Sequence, residues 1–164
     1  MIIADTGFWV GLFDYKDSNH LSCKRFLSNC REGLITTTPV LTETIHLLNQ
    51  RQHQKIALNF LTLLVQLRET QYFSLYEIEG NQLAHLLELM QQYSDLPMDY
   101  ADASLVLLAE HLGHGRIVST DNRDFRTYRW KNRQPFENLL QQHYTPHSDL
   151  TNALPLGGGL ATQD

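Results

Sequence analysis

The chain has 164 residues, of which 42% are hydrophobic and 19% charged, with a formal charge of −5. That length predicts one domain with a full core. No apolar run suits a bilayer span, and the negative charge weighs against a protein that coats nucleic acid, because neutralising phosphates takes Lys and Arg.

The first residues hold no basic segment ahead of an apolar stretch, and Cys23 and Cys30 make neither a CxxC motif nor a disulfide framework. The expected compartment is therefore the cytoplasm. Ile2-Ile3-Ala4 reads as a buried strand, followed at Asp5-Thr6-Gly7 by a turn and an apolar helical stretch through Leu12-Phe13. Residues 20–30 place Leu21, Cys23, Phe26, Leu27 and Cys30 at helical spacing, with Gly33 as a stop. Leu34 to Thr38 is β-branched and ends at Pro39, and Thr42 to Gln50 continues as a helix.

A further helix is expected over roughly 54–66, then a strand over 73–78 and a long helix through Leu83, Leu86, Leu87 and Met90. Pro97 restarts the chain, and 100–112 reads as a helix closed by Gly113. Arg116 to Thr120 is a short strand ending at Asp121. Strands that alternate with helices imply a parallel α/β sheet. From Ser148 the composition turns to Ser, Thr, Asn and Gly157-Gly158-Gly159, so a single domain over 1–147 and a flexible tail over 148–164 are expected.

Six acids stand where apolar runs give way to turns or helix starts: Asp5, Glu43, Asp99, Asp102, Asp121 and Asp124. In a parallel sheet such positions share the rim at the carboxyl ends of the strands, where ligands bind. Asp99 and Asp102, three apart, lie on one helical face. Taken singly, each acid also suits a structural place as a helix cap or a dipole partner. Taken together, neighbouring carboxylates repel by about 4 kcal/mol at roughly 4 Å and an effective dielectric of about 20. A divalent cation relieves that conflict, and all-oxygen ligands select Mg²⁺ or Mn²⁺ over zinc. His111 and His114 end a helix where positive charge is favoured, and His20, His46, His53, His85, His143 and His147 show no ligand spacing.

In their order and spacing, Ile2-Ile3-Ala4-Asp5-Thr6-Gly7, Thr42-Glu43, Met98-Asp99-Tyr100-Ala101-Asp102-Ala103-Ser104 and Ser119-Thr120-Asp121-Asn122-Arg123-Asp124-Phe125 resemble the PIN-domain family over about residues 1 to 137. That family comprises metal-dependent nucleases and includes the VapC-type toxins of bacterial toxin and antitoxin pairs. The resemblance implies a three-layer α/β/α sandwich around a mostly parallel sheet. It implies an active Mg²⁺- or Mn²⁺-dependent endoribonuclease in which Asp5, Glu43, Asp102 and Asp121 occupy the acidic metal-site positions, with Asp99 and Asp124 beside them. Thr6 and Ser119 align with hydroxyl residues adjoining the first and last acids and, with Arg123, Arg126 and Arg129, are the expected substrate contacts.

After the last acidic motif, Arg123, Arg126, Arg129, Lys131 and Arg133 interleave with Phe125, Tyr128 and Trp130. Cations along a phosphate backbone and aromatic faces on unpaired bases suit single-stranded RNA or an RNA loop. The same stripe reads equally as a half-buried edge strand. The apolar content between Ile56 and Val65 exceeds one buried stripe, which suits a homodimer or an antitoxin contact. A second reading of the whole is a non-catalytic RNA- or protein-binding module whose acids are caps. An aspartyl phosphohydrolase of haloacid-dehalogenase type is disfavoured, because position 7 is Gly where that chemistry wants a second Asp.

Overall fold

A computed structural model describes residues 1–142 apart from Pro97. The expected restart at Pro97, His143, His147 and the 148–164 tail lie outside the described residues.

The first half of the chain runs β1 (Ile2–Ala4), α1 (Thr6–Phe13), α2 (His20–Asn29), β2 (Leu34–Thr37), α3 (Thr38–Arg51), α4 (Gln54–Glu69) and β3 (Phe73–Tyr76). The second half runs α5 (Leu83–Gln92), α6 (Tyr100–Leu112), β4 (Arg116–Val118), α7 (Asn122–Thr127), β5 (Arg129–Trp130), β6 (Gln134–Pro135), β7 (Glu137–Asn138) and α8 (Leu139–Gln142). Five strands make one sheet in the order β3-β2-β1-β4-β7, every pair parallel, while β5 and β6 form a small antiparallel ribbon. Every residue of β1 and β2 is buried, the pattern of strands covered by helices on both faces. The α/β sandwich expected from the sequence is the one observed.

Trp9 shows how the helices seat on the sheet. Its ring lies 5.1 Å from Phe8, 5.6 Å from Phe60 of α4 and 6.1 Å from Phe73 of β3, so one fully buried indole joins α1, α4 and the sheet edge. Aromatic burial of this kind dominates core energetics.

The strand order sets the site. From β1 the chain moves outward through β2 to β3, then returns to the opposite side of β1 for β4 and β7. The reversal falls between β1 and β4, and ligands of open parallel sheets bind outside the carboxyl ends of the strands at such a point.

Two boundaries and one strand that bear on the site differ from the sequence expectation. Helix α3 begins at Thr38 rather than Thr42, because Thr37 caps it by accepting from the Val40 N–H and Pro39 sits in its first turn. Glu43 is consequently in the second turn, not the first. β4 stops at Val118, two residues early, since Ser119 turns out of the ladder toward Asp5. β7 was not foreseen, because the pair Glu137-Asn138 carries no strand preference and pairs only where β4 offers its free edge.

Candidate active site at the strand-order reversal

Asp5 follows β1 directly and caps α1, accepting from the Thr6 N–H at 2.6 Å and the Gly7 N–H at 3.2 Å. The buried Ser119 hydroxyl, just beyond β4, donates to Asp5 Oδ2 at 2.6 Å and accepts from the Asp121 N–H at 2.9 Å. One hydroxyl thus joins the loops that end the two strands flanking the reversal. Close approach matters here: a Cβ at Gly7 would collide with Thr120 Oγ1, so only glycine lets α1 pack against the loop that carries Asp121.

Asp121 then caps α7, accepting from the Arg123 and Asp124 N–H groups at 3.1 and 3.0 Å. Asn138 of β7 clasps this loop. Its Oδ1 accepts from the Ser119 N–H at 3.2 Å, and its Nδ2 donates to the Ser119 carbonyl and Asn122 Oδ1, each at 2.8 Å. Sequence reading missed Asn138, whose partners are set by the pairing of β4 with β7.

Glu43 reaches the rim from α3, where its Oε2 accepts from Thr6 Oγ1 at 2.6 Å. Asp99 caps α6 by accepting from the Asp102 N–H at 2.8 Å, and Asp102 Oδ2 accepts from the Tyr128 hydroxyl at 3.0 Å. A buried hydroxyl pair, Thr37 with Ser104 at 2.6 Å, ties the end of β2 to α6. Ser104 also bonds the Ala101 carbonyl at 2.6 Å. The helices bearing Glu43 and Asp102 are therefore anchored to one strand end.

Several of these acids act on one another electrostatically. Burial pushes Asp5 up to about 6, against the lowering hydrogen bonds of Ser119, Thr6 and Gly7, and the Glu43 charge adds to the rise. Burial pushes Asp102 up to about 8, with the negative charges of Asp99, Asp5 and Asp124 adding to it. Glu43 is raised by burial and then by Asp99, and Asp124 is raised by burial and then by Asp121. Asp5, Glu43 and Asp121 reach one cavity at the rim, Asp99 joins Glu43 in a neighbouring one, and Asp102 and Asp124 line neither. The first cavity, of about 290 Å³, is lined by Asp5, Thr6, Glu43, Arg51 and Asp121 among others. Arg51, which the sequence reading did not single out, brings a cation to its wall from the end of α3.

The donor set is carboxylate oxygen throughout, and Asp5, Glu43 and Asp102 are each raised by burial and further by a neighbouring acid, which fits a hard divalent cation. In the conformations present, Asp5, Glu43, Asp99, Asp102 and Asp121 each face a helix N–H or a hydroxyl, and among the described residues no three His, Cys, Asp or Glu side chains are drawn together into a ligand set.

Other expectations change. Thr6 and Ser119, expected at the substrate, are buried and direct their hydroxyls to Glu43 and Asp5. Phe125 and Tyr128, which the sequence suited equally to base stacking or to a half-buried strand, are in the core, 5.6 Å apart and edge to face, because α7 and its C-terminal end turn both inward. Tyr128 is 0% exposed and holds Asp102, so it belongs to the acid site rather than to a nucleic-acid surface. Arg129 donates Nη1 to the carbonyls of Arg126, Thr127 and Tyr128 at 2.6 to 2.9 Å, closing the end of α7. Arg123 is exposed and lies 3.8 Å from Asp124, and Arg126 is exposed on the same helix.

A family profile described as PIN domain matches residues 2–131. Among solved structures the chain aligns with VapC20 of Mycobacterium tuberculosis, described as a toxin that cleaves the sarcin-ricin loop, with a TM-score of 0.67 at 20% identity, over 75% of this chain and 92% of that one. Among curated proteins no sequence matches significantly.

Proposed function

The chain belongs to the PIN-domain family, and from that premise we propose that it is a Mg²⁺- or Mn²⁺-dependent endoribonuclease and the toxin of a toxin and antitoxin pair, working in the cytoplasm. The observation that carries the reading is the convergence of Asp5, Glu43 and Asp121 on one cavity at the strand-order reversal, with Asp102 pushed up to about 8 by burial first and then by the charges of Asp99 and Asp5. Such an arrangement is destabilising unless a cation or a proton answers it.

Asp5, Glu43, Asp102 and Asp121 would hold the ion, with Asp99 and Asp124 adding negative charge. When bound, a divalent ion lowers the pKa of water and offsets charge on a phosphoryl oxygen. The protein's own part is orientation. Ser119 fixes Asp5, Thr6 fixes Glu43 and Tyr128 fixes Asp102 through single hydrogen bonds. Arg51 in the cavity wall, with Arg123 and Arg126 on α7, supplies positive charge for the flanking phosphates. No side chain is needed as a covalent nucleophile.

The PIN-domain family resemblance and a fold shared with a toxin described as cleaving the sarcin-ricin loop support RNA, single-stranded or looped, as the substrate class. A second copy is proposed to cover α4, where Leu58 and Val65 are 55% and 57% exposed. No described helix is long and apolar enough to cross a membrane.

Purified protein is expected to cleave single-stranded RNA with Mg²⁺ or Mn²⁺, to stop in EDTA, and to lose cleavage in Asp5→Asn and Asp102→Asn while keeping its far-UV spectrum. Undiminished cleavage in both variants would overturn the assignment. The capping roles of Asp5, Asp99 and Asp121 favour one rival, a non-catalytic binding module. It predicts no rise in melting temperature with Mn²⁺, whereas a true site raises it by mass action.

A further inference from the structure

A second and larger cavity, of about 890 Å³, adjoins the acid rim between α3 and the start of α6, lined in part by Thr42, Glu43, His46, Ile78, Asp99 and Tyr100. Glu43 lines both cavities, so the two share a wall at the proposed catalytic acids. We propose that this groove is a nucleobase subsite that receives one unpaired base of the RNA beside the scissile phosphate, an inference that rests on the ribonuclease reading above.

Three features select a base over other parts of an RNA strand. Tyr100, the first residue of α6, is 42% exposed, and its ring meets no other aromatic among the described residues, leaving a face for stacking. Ile78 and Pro39 give the wall its apolar character. Its charged carboxylates are Glu43, Glu77 and Asp99, beside the neutral hydroxyls of Thr38 and Thr42 and the imidazole of His46. Carboxylates repel a phosphodiester but accept hydrogen bonds from the exocyclic amines of a base, so the base enters and the backbone stays on the rim beside Arg51. A cavity of this size suits a small organic group. A paired base is stacked within its duplex and is not offered, which makes the groove selective for single strands and loops.

The test is binding of a short mixed-sequence single-stranded RNA, measured by fluorescence anisotropy in an Asp5→Asn background that removes cleavage. Tyr100→Ala is expected to weaken binding about tenfold, the usual scale for loss of one stacked base, and Tyr100→Phe to restore it. An abasic strand of equal length should bind weakly and indifferently to the change at Tyr100. Because Tyr100 is outside the acid set, the Mn²⁺-induced rise in melting temperature should persist in Tyr100→Ala. Equal RNA affinity in Tyr100→Ala and its parent, or an abasic strand bound as tightly as the intact one, would overturn the subsite while leaving an active nuclease intact. A protein without Mn²⁺ response or cleavage would instead sink the parent reading.

Discussion

Asp102 is held in a setting that disfavours its charge: largely buried, beside Asp99 and Asp5, and relieved by one hydrogen bond from Tyr128. A carboxyl raised from 3.8 unfolded to about 8 folded favours the native state while protonated and loses that contribution as pH rises between those values. Asp5, raised to about 6, acts in the same direction over the lower part of the window. Ion-free protein is therefore expected to lose stability from about pH 4 to pH 8, Asp102→Asn to flatten most of the slope, and saturating Mn²⁺ to reverse it. Melting temperatures across that range check this, and a slope unchanged in Asp102→Asn would refute it. Tyr128→Phe leaves the rings packed and removes the donor to Asp102, so a stability loss of about 1–2 kcal/mol by urea unfolding is expected. Cleavage should also fall. Tyr128 was legible as an aromatic residue, but its partner lies 26 positions earlier and only the fold brings them together.

Helix α6 is the element on which the site depends, with eight buried residues from Ala101 to Ala109 pressed between sheet and neighbouring helices. Both of its ends were readable in the sequence. Asp99 is a favoured N-cap residue and Gly113 a favoured terminator, and the structure places them there, with Gly113 at φ +73. A Cβ at Gly113 meets nothing within 4 Å, so Gly113→Ala tests backbone conformation alone. A loss of about 1 kcal/mol is expected from the left-handed φ, read by urea unfolding, with cleavage unchanged. The start of α3 was less legible. Thr38-Pro39 reads as a strand end, yet a proline is equally at home in a first helical turn, and the capping hydroxyl of Thr37 decides the matter.

For the whole molecule, the apolar surface left on α4 is a feature that one copy does not explain. Leu58 and Val65, seven apart, face solvent on one side of the helix while Ala57, Phe60 and Leu64 fill the core on the other. Light scattering is expected to give a dimer mass that Leu58→Glu with Val65→Glu shifts to a monomer. A concentration-independent monomer in the unmodified protein would refute this. The alternation of strands and helices, the acids at their junctions and both ends of α6 are local properties, set by propensity, periodicity and capping, and the amino-acid order alone determined them. Which acids meet, that Ser119 and Asn138 clasp the loop of Asp121, that Tyr128 turns inward to Asp102, and that β7 exists at all were decided by tertiary structure. Each depends on a partner between 16 and 114 residues away, and no local pattern encodes a contact that only the strand order creates.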